Sequence, residues 1–381
     1  MEHLTSRDVR LIGICVVFGA LAGVLHYVGA GDIAPFVVSA IALAVLASLV
    51  GRSVEALGDR LGAGATGVVQ SALGNLPELF VTLFALHAGL YDVVRAAIVG
   101  SILANVLLVL GIAFVVGGLR HGTQRFGTEA ARGISLMLVL AVAALLVPSL
   151  TSHLHTPAAG HERVLSIIVS VVLLVLFALS LPASIRRSAD EGQAAGGSDS
   201  RTIEARESRA AGGRDSRAAQ ARESDMREGE WPLPLAVGML AAGGVAAAFV
   251  SDWFVDELTP AMDRLGISQA FAGLVIVAIA GNAVENVVGI QLAARNKADY
   301  ALSVILQSPL QIALVLAPVV VLAAPLVGAT FTLVLSPLLI AVLAIAVIVT
   351  VLVVLDGEST WFEGSALVAL YAMIAAGFWW G

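Results

Sequence analysis

The stretch "SALGNLPELF" (Ser71–Phe80) sets a Gly-Asn-x-x-Glu motif inside a long apolar run, and "AIAGNAVENV" (Ala278–Val287) repeats it 207 positions later. In register, Gly74, Asn75 and Glu78 fall on Gly281, Asn282 and Glu285. The alignment continues without gaps, pairing Val81 with Val288, Asp92 with Asp299, Ile98 with Ile305, Ser101 with Ser308, Leu103 with Leu310 and Leu107 with Leu314. That makes nine identities over the 34 positions from 74 to 107. In so apolar a chain some aliphatic matches arise by chance. The Gly, Asn, Glu, Asp and Ser matches are much less easily accidental.

The surroundings make each repeated acid costly. Of 381 residues, 59% are hydrophobic and 13% charged, and the mean hydropathy is +0.94. Several apolar runs exceed about 18 residues, enough to cross a bilayer as a helix. Alternation with a period of two is absent, which favours helices over an outer-membrane-type barrel. Cys15 stands alone and forms no intrachain disulfide. The start, "MEHLTSRDVR", leads into an apolar segment without a cleavage pattern and reads as a retained first helix. Nothing points to nucleic-acid binding.

The pattern predicts an all-α polytopic membrane protein with eleven transmembrane helices, at 11–28, 34–51, 65–88, 94–117, 133–150, 163–184, 233–251, 269–293, 300–323, 327–355 and 364–380. The last run but one, 327–355, is expected to tilt or to kink at Pro337. Four regions result: 1–33 with the first helix, a first five-helix repeat at 34–184, a hydrophilic linker at 185–231, and a second five-helix repeat at 232–381. The linker is rich in Arg, Glu, Ser, Ala and Gly, and reads as solvated and disordered. With the N-terminus in the cytoplasm, the short cytoplasmic segments carry Arg7, Arg10, Arg52, Arg60, Arg120, Arg125, Arg132, Arg295 and Lys297. The opposite side carries Arg95, Arg163 and Arg264, so the positive-inside rule puts the linker in the cytoplasm and the C-terminus outside. On this layout the Glu78 helix runs outward and the Glu285 helix inward. The repeat is therefore inverted, a design tied to alternating access around a site at the bilayer midplane.

Of the 28 acidic residues, only Glu78 and Glu285 lie deep in the expected spans. No Lys or Arg lies deep within those spans as a fixed partner, so protons or cations must neutralise them. A low-dielectric setting favours the neutral form of a carboxyl, so one group can alternate between a proton and a metal ion. Two carboxylates neutralise one divalent cation, and two protons neutralise them equally well. An empty site would cross the membrane with two uncompensated charges, which enforces exchange.

The neighbours suit a hard cation such as calcium, which takes six to eight oxygens. Asn75 and Asn282 share a helix face with their glutamates and offer amide oxygens. Gly74, Pro77 and Gly281 loosen the local helix and free backbone carbonyls. Ser101, Asn105, Ser308 and Gln311 are the expected cavity lining on the following helices. The lack of His or Cys near the motifs disfavours zinc and copper. Plainer readings stand beside these: glycines for close helix packing, Asn as interhelical struts, and Ser101 and Ser308 bonding back to their own helix. Asp92 and Asp299, at helix boundaries, are expected to cap.

These motifs resemble the calcium/proton exchanger (CAX-type) branch of the cation/calcium exchanger superfamily. "GSILANVLLVLGIAFVVGGLRHGTQRF" at 100–126 and "QIALVLAPVVVL" at 311–322 resemble that family's continuations of its first and second repeats. Specific similarity covers about 64–129 and 269–322. The resemblance implies an N-terminal helix plus two inverted five-helix repeats and an antiporter rather than an enzyme. Calcium and protons are then transported substrates, with no cofactor. It also implies cation- and proton-binding roles for Glu78 and Glu285, supported by Asn75 and Asn282. The chain departs from the family at Asn286, where a His is usual, and at Gln307-Ser308-Pro309, where Gly-Ser-Ser is usual. Pro77 resembles the sodium/calcium branch instead. Sodium- or potassium-coupled exchange, manganese transport, and a cation channel remain as alternatives. The composition and lack of targeting signals point to a prokaryotic plasma membrane.

Overall fold

The structure is a computed structural model that describes residues 4–61, 73–180 and 231–380. Most of the expected linker, 185–230, and part of the expected third span, 65–72, lie outside the described residues. The helices are α1 (Ser6–Val28), α2 (Ala34–Leu61), α3 (Leu76–His87), α4 (Tyr91–His121), α5 (Thr128–His153) and α6 (Glu162–Ser180). After the linker come α7 (Leu233–Leu265), α8 (Gln269–Gly281), α9 (Ala283–Ala294), α10 (Ala298–Val327), α11 (Pro337–Val354) and α12 (Trp361–Phe378). The strands among the described residues form a two-residue antiparallel pair, β1 (Gln124–Arg125) with β2 (Glu358–Ser359).

Among the described residues, nine helices are long and apolar enough to cross a membrane, and ten if the bent pair α8–α9 counts as one span. α3 has only 12 residues, about 18 Å at 1.5 Å per residue, too short to cross alone. Helices such as α1 and α6 turn Val16, Val17, Val24 and Leu179 outward, the arrangement of an integral membrane protein facing lipid.

Element bounds repeat at the interval seen in the sequence. α3 and α9 begin and end 207 residues apart. π-helical turns interrupt α4 at Ala104–Val109 and α10 at Ile312–Leu316, so these turns end at positions 207 apart too. A third π turn lies in α8 at Ala272–Val277. Such turns are rare and concentrate at functional sites.

α2 lies along α7, and α4 packs against α8 and α12. A Cβ on Gly100 would overlap the Leu274 backbone, and one on Gly273 would overlap the Val93 carbonyl. These two glycines let α4 and α8 meet backbone to backbone, the small-residue solution to packing in lipid.

The expected span at 327–355 is corrected. α10 ends at Gly328, in a left-handed conformation with φ 73°, and 329–336 has no regular secondary structure. α11 starts only at Pro337, capped by Ser336. Pro337 is thus a helix start and not a kink, where its missing N–H costs nothing. Backbone outside helices in such an apolar setting must find partners within the protein. Ser149 Oγ donates to the Leu333 carbonyl at 2.8 Å and accepts from Leu335 N–H at 2.9 Å, while Ser166 Oγ accepts from Leu333 N–H at 3.0 Å. α2 and α7 also run well past their expected ends at 51 and 251.

Candidate functional site

Both Gly-Asn-x-x-Glu copies break a helix at their asparagine. Asn75 has φ −94° and ψ 18°, Asn282 has φ −104° and ψ 13°, and a fresh helix starts at the next residue. α8 and the body of α9 diverge by 64° across the second break. Glu78 therefore sits in the first turn of α3, where the unpaired N–H groups of a helix start favour negative charge. Pro77 occupies the first turn as well. The position needs no intrahelical donor, so proline starts the half-helix rather than kinking a longer one.

The two copies interlock through a directed chain of hydrogen bonds. Asn282 Nδ2 faces the Ala278 carbonyl at 3.0 Å, an oxygen that can only accept, which fixes the amide orientation. The same amino group donates to Ser101 Oγ at 3.1 Å, and Ser101 Oγ donates in turn to Glu78 Oε1. On the other side Ser308 Oγ donates to Asn282 Oδ1 at 3.2 Å. All four side chains are at most 2% exposed. Ser308, Asn282 and Ser101 thus form a relay of donors that ends on Glu78. Gly281 completes the contact: a Cβ there would lie 3.4 Å from Glu78 Cβ and Cγ.

A cavity reaches the cluster from the α2 side. This cavity, of about 360 Å³, runs from Arg52 and Glu55 on α2 to Gly74, Asn75, Gly281 and Asn282. On another flank of Glu78 lies a void of only about 10 Å³, walled by Leu43, Val81, Phe254 and Val277. That is room for about one water.

The structure brings Glu78, Ser101, Asn282 and Ser308 together, with Gly74, Asn75 and Gly281 at the cavity end. Asn105 is fully buried on the π turn and donates to the Ser101 carbonyl at 2.8 Å, a bond within its own helix. No hydrogen bond joins Gln311 to the cluster among the described residues. The Glu285 side chain lies outside the described residues. Ser101 and Ser308 reach across to other elements rather than back to their own helix. Asp92 and Asp299 do not cap their helices either. Asp92 accepts from Arg95 Nη1 at 2.9 Å, and Asp299 accepts from Gly127 N–H, where α5 starts.

Sequence reasoning missed Arg52 and Glu55 as cavity walls because it ended α2 at residue 51. A signal was present: Leu49, Val50, Ser53, Val54, Ala56 and Leu57 continue the helical apolar stripe past the charges, and all six are buried.

The family model described as sodium/calcium exchanger protein matches residues 32–186 and 235–380. The chain belongs to this family. A Ca(2+)/H(+) antiporter of Aphanothece halophytica is 32% identical to the exchanger over 355 residues, spanning 93% of this chain and 92% of the relative. The Ca(2+)/H(+) antiporter ChaA of Bacillus subtilis is 32% identical over 370 residues, spanning 97% of each. The solved structure of native YfkE superposes with a TM-score of 0.75 at 29% identity, over 96% of this chain and 99% of that one. A solved H+/Ca2+ exchanger CAX matches at TM-score 0.67 and 16% identity, over 97% and 92%, a likeness of fold. The exchanger is thus a membrane transporter and not an enzyme.

Proposed function

We propose that the exchanger is a secondary active antiporter that trades calcium for protons by alternating access. The observation that carries this reading is the buried chain Ser308–Asn282–Ser101–Glu78, with a cavity that reaches it from the α2 side. A conducting channel needs a continuous wet path, whereas Leu43, Val81, Phe254 and Val277 press on Glu78. The Ca(2+)/H(+) activity named for relatives over nearly the whole chain length gives the ion pair.

Glu78 and Glu285 bind Ca2+ or H+ in competition. Asn75, Asn282 and carbonyls at the helix breaks add neutral oxygens, a donor set that suits a hard divalent ion. Protonation dismisses the cation, and the neutral site recrosses. The eleven spans form an N-terminal helix and two inverted five-helix repeats, and the 207-residue recurrence of helix bounds and π turns supports that arrangement. With the linker side in the cytoplasm, Arg52 and Glu55 mark the cytoplasmic mouth, and the structure is inward-open. Charge bias supports that orientation, in a prokaryotic plasma membrane.

The test is Ca2+ uptake into proteoliposomes under an imposed pH gradient, with Na+, K+ and Mn2+ as competitors. Uptake driven by the pH gradient and abolished by a protonophore is expected. Uptake driven by a sodium gradient instead moves the protein to sodium coupling. Calcium flux that needs no counter-ion makes it a channel.

A further inference from the structure

The mouth of the cavity holds a charge arrangement that the exchange mechanism does not use. Asp8, in the first turn of α1, is only 4% exposed. It takes part in the Thr5 capping box, accepting from Thr5 N–H at 3.0 Å and Thr5 Oγ1 at 2.8 Å. The same carboxylate oxygen accepts from Trp231 Nε1 at 3.1 Å, and the other faces Arg52 Nε at 3.4 Å. Trp231, at the end of the linker segment, is fully buried, and the Arg52 guanidinium lies over its ring, 5.6 Å from the centroid. Arg52 Nη1 donates to Glu55 Oε2 at 3.1 Å. Arg52 and Glu55 both line the cavity that ends on Asn75 and Asn282.

A guanidinium cannot shed its charge. Loose in this cavity, it would repel an approaching divalent cation twice as strongly as a monovalent one, at close range and in a partly low-dielectric setting. Asp8 and Glu55 cancel that charge from two sides, and the Trp231 ring holds the guanidinium flat against the wall. Resting on the exchange reading above, we propose that Asp8 is a positioning residue for transport. With Trp231 it fixes and neutralises Arg52, so that a divalent cation passes to the Asn75–Asn282 end of the cavity. The N-terminal helix and the end of the linker thereby set cation affinity on this side of the protein.

The full chain in proteoliposomes supplies the test, reading initial Ca2+ uptake against Ca2+ concentration at the Arg52 side. Asp8→Asn keeps the shape and an oxygen acceptor but removes the charge. It is expected to raise KM about three- to tenfold with Vmax nearly unchanged, and the increase should shrink at high ionic strength. Adding Arg52→Gln should return KM to the wild-type range, because it takes back the one unit of positive charge that Asp8→Asn added to the mouth. Should Asp8→Asn not fold, Glu55→Gln and its double variant with Arg52→Gln give the same comparison from an exposed residue. An unchanged KM in the single variants, or an increase that Arg52→Gln does not relieve, overturns the proposal. Ca2+ binding to the solubilised protein, measured in parallel, separates the two readings. Wild type that binds Ca2+ but shows no pH-driven uptake sinks the exchange reading, and the binding constants of the variants still decide this one. Wild type that binds no divalent cation sinks both.

Discussion

The two Gly-Asn-x-x-Glu copies share a backbone and differ in what surrounds them. Each asparagine ends one helix and starts a 12-residue helix, with nearly the same dihedral angles. Asn282 is then 2% exposed and makes three hydrogen bonds, to Ala278, Ser101 and Ser308. Asn75 is half-buried beside the cavity, and its Nδ2 has no hydrogen-bond partner among the described residues. Both copies line the same cavity, so the difference lies in their partners and not in their access to it. The Asn75 amide is left uncommitted beside the cavity, whereas the Asn282 amide is held on both ends by protein.

Breaking the comparison at its acids should have the largest effect. Glu78→Gln and Glu285→Gln are each expected to reduce pH-driven Ca2+ uptake to the level of empty liposomes, since an amide neither releases a proton nor balances a cation. Glu78→Asp should retain part of the activity, because the charge survives and only its reach changes. If one glutamine variant transports at half the wild-type rate, the two copies are not equivalent in chemistry.

The asparagines should separate next. Asn282→Ala removes the acceptor of the buried Ser308 hydroxyl and the donor that reaches Ser101. Ser101 keeps Glu78, and the Ala278 carbonyl keeps the residue-282 backbone N–H. One unsatisfied buried group costs about 1–3 kcal/mol. A clear drop in melting temperature in detergent is expected, with Ca2+ uptake lost in proportion to the broken chain. Asn75→Ala breaks no hydrogen bond in this state, so its melting temperature should stay within the effect of about 0.5 kcal/mol typical of benign sites. Its signature is a raised KM for Ca2+. Equal destabilisation by the two would erase the contrast drawn from the structure. Gly281→Ala sharpens it further: the new methyl would touch Glu78 at van der Waals distance, 3.4 Å, so stability should hold and any loss should appear in turnover.

Much of this was legible in the sequence because its cause is local. Apolar runs of membrane length announce helices, and two mid-span glutamates without basic neighbours announce a site. The 207-residue register named Ser101 and Ser308 before any coordinates, and both lie on the hydrogen-bonded chain. What stayed hidden depends on tertiary partners. Residues 329–336 read as helix because Phe331, Leu333 and Leu335 are apolar, and only the distant Ser149 and Ser166 make non-helical backbone tolerable there. Arg52 read as a loop charge because its counter-ion, Asp8, lies 44 residues away in sequence and its aromatic cover, Trp231, beyond the linker.

Pro77 gives the smallest effect and the finest distinction between the copies, since Val284 holds its place in the second. A proline within a helix would cost about 3 kcal/mol or more by removing a hydrogen bond and clashing with the preceding turn. In the first turn of α3 no intrahelical bond is lost, and the fixed φ suits the helix start. Pro77→Ala is therefore expected to destabilise by about 0.4–1 kcal/mol through the freer unfolded chain alone. The melting temperature should fall slightly, while KM and Vmax for Ca2+ stay near wild type. A stabilised variant would mean that Pro77 strains a continuous helix, as the sequence first suggests. Normal melting with lost transport would instead tie the rigid start of α3 to the placement of Glu78 one residue later, and the second copy would need another device to hold Glu285.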